Sequence, residues 1–259
     1  MSDERPRGRL LLVPTPLDFG LRDHGPPPDL HDVLPLGVIR HAAALTHWVA
    51  ESAKTARAFL KRVDAIVPLA LPLQAQHIRE LPRPAKGVKA PTPPDLAALL
   101  APALQGHDIG LVSEAGLPAV ADPGAALVQA AHSLAIAVLP LAGASALPLA
   151  LAASGLNGQS FAFVGYLPVE GAARAARIRE LEALSRRAGQ AQMAIETPYR
   201  NQALLAALLA NLQPATRLAV SCGLTLPEGW TRSDSVAAWR ARPTPLPADV
   251  PAVFSLQAG

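Results

Sequence analysis

Apolar positions recur along the chain in two alternating rhythms. Short runs of consecutive aliphatic residues read as buried strands: Arg9 to Val13, His47 to Ala50, Asp108 to Val112 and Ile136 to Leu139. Between them the spacing turns helical. Leu36, Ile39, Ala43 and Leu45 share one helix face, Glu51 to Leu60 starts a second helix with Ser52 as its cap, and Leu96 to Ala101 forms a third behind Pro93-Pro-Asp95 and ahead of Gly106. Ala125 to Leu134 predicts a fourth. The order β-α-β-α-α-β predicts a parallel sheet covered by helices.

After residue 155 the pattern changes. Ser160 to Pro168 alternates in strand fashion, and Arg174 to Arg187 is a charged helix with Ile178, Leu181 and Leu184 on its apolar stripe. Gln192 to Ile195 is a strand, Asn201 to Leu212 a Leu/Ala-rich helix, and Leu218 to Gly223 a further strand. A turn over Thr225 to Trp230, a short helix around Ala237 to Arg240 and a strand over Ala252 to Leu256 follow. This half is richer in strands and hairpins, so a domain boundary is expected near Gly143, dividing residues 1–142 from 143–259. Two stretches read as irregular. Gly25-Pro-Pro-Pro-Asp29 is an exposed loop, and Pro68 to Pro94, with His77, Arg79, Arg83, Lys86 and Lys89, is an extended connector.

Composition narrows the chemistry. Half of the 259 residues are apolar but only ten are aromatic, which gives an aliphatic core and few stacking platforms for single-stranded nucleic acid. A net charge of +3 suits an anionic substrate without making a concentrated nucleic-acid footprint. The single cysteine, Cys222, rules out an intrachain disulfide and a Cys-based zinc site, and reads as a small buried hydrophobe. Leu10 to Val13 is too brief for a signal-peptide core or a membrane span, so a cytoplasmic protein with no membrane partner is expected.

Ligand chemistry is expected where strands break into small-residue turns. Gly110 to Pro123 runs from a strand through an acidic loop, punctuated by glycine and proline, into a helix. Pro140 to Ala146 is a second such turn, in which Gly143, Ala144 and Ser145 let backbone approach a ligand closely. Lys54 and Arg57, three apart on one helix face, read either as a solvated basic face or as an anion-facing helix start.

Five ordered blocks then carry a resemblance: Val13-Pro-Thr-Pro-Leu17, Ser113-Glu-Ala-Gly-Leu-Pro-Ala-Val-Ala-Asp-Pro-Gly124, Leu141 to Ala146, Phe161 to Pro168, and Glu196-Thr-Pro-Tyr-Arg200. Together they resemble the tetrapyrrole-methylase superfamily, and within it a divergent subgroup of the branch of small-subunit ribosomal RNA 2′-O-ribose (cytidine) methyltransferases. The resemblance implies a two-domain α/β fold, with a parallel-sheet N-terminal domain and a mixed-sheet C-terminal domain. It also implies a homodimer, S-adenosylmethionine held in the cleft between domains, and no metal. Carried over by position, cofactor contacts would come from Pro16, from Ser113, Glu114, Ala115, Gly116 and Pro118, and from Ala144, Ser145 and Ala146. Glu196, Thr197, Ser221, Cys222, Gly223, Asp234 and Ser235 would complete them.

Two blocks depart from the branch. Where it has Glu-Asp-Thr-Arg-x-Thr-Arg, this chain has Glu51-Ser-Ala-Lys-Thr-Ala-Arg57, and where it has Arg-Glu-Leu-Thr-Lys-x-His-Glu, this chain has Cys222-Gly-Leu-Thr-Leu-Pro-Glu-Gly229. Methyl transfer from a sulfonium needs alignment and a base for the acceptor's proton. Candidates for that base and its neighbours are Glu51, Lys54 and Arg57, with Glu114 and Tyr199 behind them; Glu51 with Arg57 reads equally as an ion pair, as does Glu196 with Arg200. RNA is the first expectation for the acceptor. A small or tetrapyrrole-like molecule, or a silent cofactor-binding homologue, are the alternatives.

Overall fold

The computed structural model describes residues 6–18, 28–82 and 95–259. Parts of the Gly25 to Asp29 loop and of the Pro68 to Pro94 connector, with Arg83, Lys86, Lys89 and Pro93, fall outside the described residues. The chain divides into two compact units, residues 1–144 and 145–259.

The first unit carries β1 (Leu10–Leu12), α1 (Leu30–Val33), α2 (Leu36–Ala44), β2 (His47–Ala50), α3 (Ala53–Asp64), β3 (His77–Glu80), α4 (Leu96–Leu104), β4 (Ile109–Val112), α5 (Ala125–Ser133) and β5 (Val138–Pro140). Its five strands are all parallel, in the order β3-β2-β4-β1-β5. Successive strand residues serve opposite faces. Leu11, Val13, Trp48, Ala50 and Val112 pack under α1, α2 and α3, and Leu10, Val49, Ile109 and Leu111 pack under α4 and α5. Helices therefore cover both faces, which is why these strands read as unbroken aliphatic runs. Gly110 lies opposite Trp48 in the β2–β4 register, and a Cβ there would sit 2.4 Å from the indole. A ring this large is accommodated because its neighbour has no side chain.

β3 corrects the sequence reading. The extended connector expected over Pro68 to Pro94 contains a one-turn 3-10 helix, Leu73–Ala75, and then this edge strand. An edge strand has one neighbour, and three of its four residues are exposed, so no hydrophobic run marks it. β5, at the other edge, ends on Pro140, where a missing N–H does no harm.

The second unit carries α6 (Ala146–Ser154), β6 (Phe161–Tyr166), α7 (Gly171–Ala188), β7 (Ala191–Glu196), α8 (Asn201–Asn211), β8 (Arg217–Cys222), β9 (Trp230–Ser235), α9 (Val236–Ala241) and β10 (Ala252–Gln257). Its sheet is mixed, ordered β6-β7-β10-β8-β9: β6 and β7 are parallel, and the remaining pairs are antiparallel. β9 is a second correction. The expected turn over Thr225 to Trp230 ends in a strand whose sequence, Trp-Thr-Arg-Ser-Asp-Ser, is polar and half-buried throughout. On α7 the buried face comprises Ile178, Leu181, Glu182 and Ser185, with Leu184 only half-buried. The Glu182 carboxylate accepts hydrogen bonds from the Gln213 amide at 2.8 Å and from the Thr216 hydroxyl. A carboxylate is tolerated in that interior because its lone pairs are occupied.

Candidate functional site

Three neighbouring strands of the first unit, β4, β1 and β5, end together, and their carboxyl-end loops are locked to one another. Thr15 and Gly116 exchange backbone hydrogen bonds of 2.9 and 3.0 Å, clipping the loop after β1 to the loop after β4. Gly116 adopts φ +77°, a conformation side chains resist, and the position a Cβ would take is 3.1 Å from Leu17. The loop after β5 joins them through Gly143, where a Cβ would stand 2.4 Å from Pro14 Cγ and 2.9 Å from Leu34. Small residues at 116 and 143 are thus steric requirements of the loop contact.

At the centre of this contact lies Thr15. It is 4% exposed, and its Oγ1 makes no hydrogen bond among the described residues. An unsatisfied buried hydroxyl costs about 1–3 kcal/mol, which a bound ligand or an ordered water can offset. Pro16, Ser113, Ala115, Gly116, Pro118 and Ala144 are buried around it, whereas Glu114 is exposed.

The loop after β4 is held in a costly shape. Ala119 and Ala121 both have φ of +66°, and Gly124 has φ +134° ahead of α5. Each left-handed alanine costs about 1–2 kcal/mol, which the surrounding contacts must offset. Asp122 stands among them. Burial pushes its carboxyl above the usual carboxylate range and the charge of Glu114 adds to this, against a hydrogen bond with the Ser113 side chain.

The candidate base region lies at the end of β2. Glu51 is half-buried, with its amide donating to the Val112 carbonyl at 3.3 Å, so it adjoins the β4 end of the cluster. Ser52 caps α3 as expected, accepting from Thr55 at 3.5 Å, and the Glu80 carboxylate accepts from the Ala53 amide at 2.7 Å. Lys54 and Arg57 are exposed, and Arg57 reaches back to the carbonyl of Ala53 at 3.4 Å. Of the three, Glu51 alone is tied to the β4 strand end by its backbone.

In the second unit the register decides which residues meet. Glu196 ends β7 opposite Ala252 of β10, and Ala252 lies opposite Cys222 of β8, so Glu196-Thr197 and Ser221-Cys222-Gly223 share one end of the sheet. Glu196 is buried and accepts from Arg200 at 2.7 and 3.1 Å and from the Thr197 amide at 2.7 Å, forming the expected ion pair. Asp234 and Ser235 do not join this group. Asp234 pairs with Leu218, and the four-residue step from Leu218 to Cys222 is about 14 Å along an antiparallel strand. There Asp234 faces Arg232 and Arg242, and the Ser235 hydroxyl caps α9. Ser145 precedes α6 without capping it, and Ala146 is the first residue of that helix. Burial, with the charge of Asp249, pushes the Cys222 thiol upward, in keeping with a packed hydrophobe.

Thr15, Asp122 and Glu80 escaped the sequence-based reading of the site, whereas Gly143 was read as a point of close backbone approach. Thr15 and Asp122 lie inside quoted blocks, but neither their burial nor the contact of Gly143 with Pro14 leaves a pattern in sequence. Among the described residues no group of three or more His, Cys, Asp or Glu side chains could hold a metal, and no helix is long and apolar enough to cross a membrane.

Comparison with known proteins adds to this geometry. No protein-family model matches the chain. Curated relatives named ribosomal RNA small subunit methyltransferase I match parts of it. The Halalkalibacterium halodurans protein is 52% identical over 65 residues, covering 25% of this chain and 22% of its own length. That of Micromonospora olivasterospora is 43% identical over 108 residues, covering 42% and 33%, and that of Neisseria meningitidis serogroup B is 38% identical over 120 residues, covering 46% and 40%. The matched stretches thus span less than half of each of these relatives. The crystal structure of the methyltransferase CobJ superposes over 97% of this chain and 95% of its own, with a TM-score of 0.54 and 15% identity. The chain therefore has the fold of that methyltransferase, and its sequence bears out the resemblance to the ribosomal RNA branch of the tetrapyrrole methylases.

Proposed function

We propose that the chain is an S-adenosylmethionine-dependent methyltransferase acting on RNA, with a ribose hydroxyl of small-subunit ribosomal RNA as the acceptor class. The observation that carries the reading is the 38–52% local identity to proteins named as small-subunit ribosomal RNA methyltransferases. The loop cluster of the first unit supports it. A zwitterionic sulfonium ligand needs backbone carbonyls, close approach and a few hydroxyl partners rather than a phosphate cradle. The buried, unpartnered Thr15 Oγ1 and the side-chain-free positions 116 and 143 suit that need.

When bound, the cofactor supplies an electrophilic methyl group. The chain's own work is to hold and orient. Thr15, Pro16, Ser113, Ala115, Gly116, Pro118 and Ala144 would line the ligand, with Glu114 at its exposed margin and Ser145 and Ala146 following. Asp122, hydrogen-bonded to Ser113, keeps the loop in its left-handed shape. Within the second unit, Glu196, Thr197 and Ser221 to Gly223 form one candidate group. Asp234 and Ser235, at the other end of its sheet, are left out of this assignment. Glu51 is assigned as the acceptor of the hydroxyl proton, and Lys54 and Arg57 attract the phosphate backbone from an exposed helix face. The reading carries with it a cytoplasmic homodimer, as the family resemblance implies.

The test is incubation with methyl-labelled S-adenosylmethionine and small-subunit ribosomal RNA, free and in the assembled subunit. Label retained in RNA after nuclease mapping is expected, at a 2′-oxygen. The departures at Glu51 to Arg57 and Cys222 to Gly229 favour a small-molecule acceptor as the second reading. Label appearing in a tetrapyrrole fraction and never in RNA would replace the first reading by the second.

A further inference from the structure

The largest rings divide by exposure. Trp48 and Trp239 are almost wholly buried, yet both tyrosines of the chain face solvent, Tyr166 at 56% and Tyr199 at 71%. They also stand at one place in the second unit. Tyr166 closes β6 in register with Ile195 of β7, and Tyr199 follows Ile195 by four residues, in the 3-10 turn Pro198–Arg200. Adjacent strands are about 4.8 Å apart and four residues span at most about 14 Å, so both rings fall within the length of a few nucleotides of one strand.

Arg200 completes the group. Its guanidinium lies 5.5 Å from the centre of the Tyr199 ring, and its Nε and Nη2 are fixed by Glu196 at 3.1 and 2.7 Å and by Thr197 at 3.0 Å. The cation is thus oriented before anything binds, and the Glu196 charge that would repel a phosphate is neutralised. Planar rings beside an oriented guanidinium are the chemistry that stacks on unpaired bases.

We propose that Tyr166, Tyr199 and Arg200 form a stacking platform for unpaired bases of an RNA acceptor. The proposal rests on the reading of this chain as an RNA methyltransferase, and it gives the second unit the task of gripping the strand. A second copy of the chain is the rival occupant. Tyr166, Tyr199 and Val169, the last 64% exposed, are three side chains, against the roughly 20–30 residues a side that a specific protein interface uses.

Fluorescence anisotropy with a labelled single-stranded RNA of about twelve nucleotides, and with an abasic strand of equal length, tests the proposal. The proteins are the full chain and its Tyr166→Leu, Tyr199→Leu, Tyr166→Phe and Tyr199→Phe variants. Each Leu variant is expected to weaken RNA binding about fivefold or more, each Phe variant by less than about twofold, and the abasic strand is expected to be insensitive to all four. Leu variants that bind RNA as the wild type does would overturn the platform while leaving the methyltransferase reading intact. So would Leu variants that turn a wild-type dimer into a monomer in sedimentation, which would assign the surface to a second copy. Wild-type protein that binds S-adenosylmethionine but neither binds nor methylates RNA would remove the acceptor reading and the platform with it.

Discussion

Replacing Gly143 with alanine isolates the contact that joins the loops after β5 and β1. The added methyl would lie 2.4 and 2.8 Å from Pro14 Cγ and Cβ and 2.9 Å from Leu34 Cδ2. Leu34 can swing aside, but Pro14 is a ring fixed to a buried backbone, and the next residue, Thr15, is bonded to Gly116 on both its amide and its carbonyl. The collision must therefore move backbone. Overpacking of this kind costs about 1–3 kcal/mol, and three contacts under 3.0 Å put Gly143→Ala at about 2–3 kcal/mol. For a unit of this size that is a fall in Tm of roughly 5–10 °C. Affinity for S-adenosylmethionine should fall by tenfold or more, because the displaced backbone carries Thr15 and Gly116, the groups assigned to the ligand. Differential scanning calorimetry and isothermal titration measure the two effects. Gly37→Ala is the control: it lies in the first turn of α2 with nothing within 4 Å of the new methyl, and should stabilise by up to about 1 kcal/mol with cofactor binding unchanged. A Gly143→Ala protein matching the wild type in both Tm and affinity would refute the account of the site.

Three further outcomes follow from other parts of the molecule. His47 is stacked between His77 and His107, with ring centroids 4.7 and 5.0 Å away, and burial first, then the two neighbouring imidazoles, lower its pKa. The unfolded chain then binds more protons, so stability is full above about pH 7 and is lost as pH falls through the ordinary histidine value near 6.5 toward the lower folded value; denaturant midpoints between pH 8 and 5 should show the loss, and His47→Gln should flatten it. Glu182→Ala strands the buried Thr216 hydroxyl and frees the Gln213 amide, and should lower unfolding free energy by about 1–3 kcal/mol, with Glu182→Gln costing less because it keeps one acceptor. Ala119→Gly, at φ +66°, should raise stability by about 0.5–1 kcal/mol in thermal unfolding, where an alanine replaced on ordinary helix backbone would lose a similar amount.

The division between what was readable in the chain and what was not follows burial. β1, β2 and β4 are flanked by neighbours and covered on both faces, so their aliphatic runs named them, and Ser52 announced α3 by the hydrogen bond it makes. β3 and β9 are edges. Each has a single neighbour and carries polar residues, so the signal on which the reading depends is absent where strand pairing is made by backbone alone. The same reasoning explains the site. Short motifs proposed Pro16, Ser113 to Gly116 and Ala144, because small residues in loops are visible as letters, and the structure places these residues in the loops after β1, β4 and β5. Motifs hold no register, however. Asp234 and Ser235 stand thirteen positions after Ser221 and Cys222 respectively, yet an antiparallel turn carries them to the far end of the β8–β9 ladder, where they serve Arg232, Arg242 and the cap of α9. Tyr166 and Tyr199 show the converse, since thirty-three residues separate two positions that parallel pairing of β6 and β7 brings to the same end of the sheet. A cofactor held by loop backbone leaves its trace in contiguous blocks, whereas a grip on an extended acceptor is assembled from strand ends distant in sequence. On the proposed reading, that asymmetry is why cofactor contacts can be argued from motifs, whereas the acceptor must be identified by binding experiments on the exposed rings.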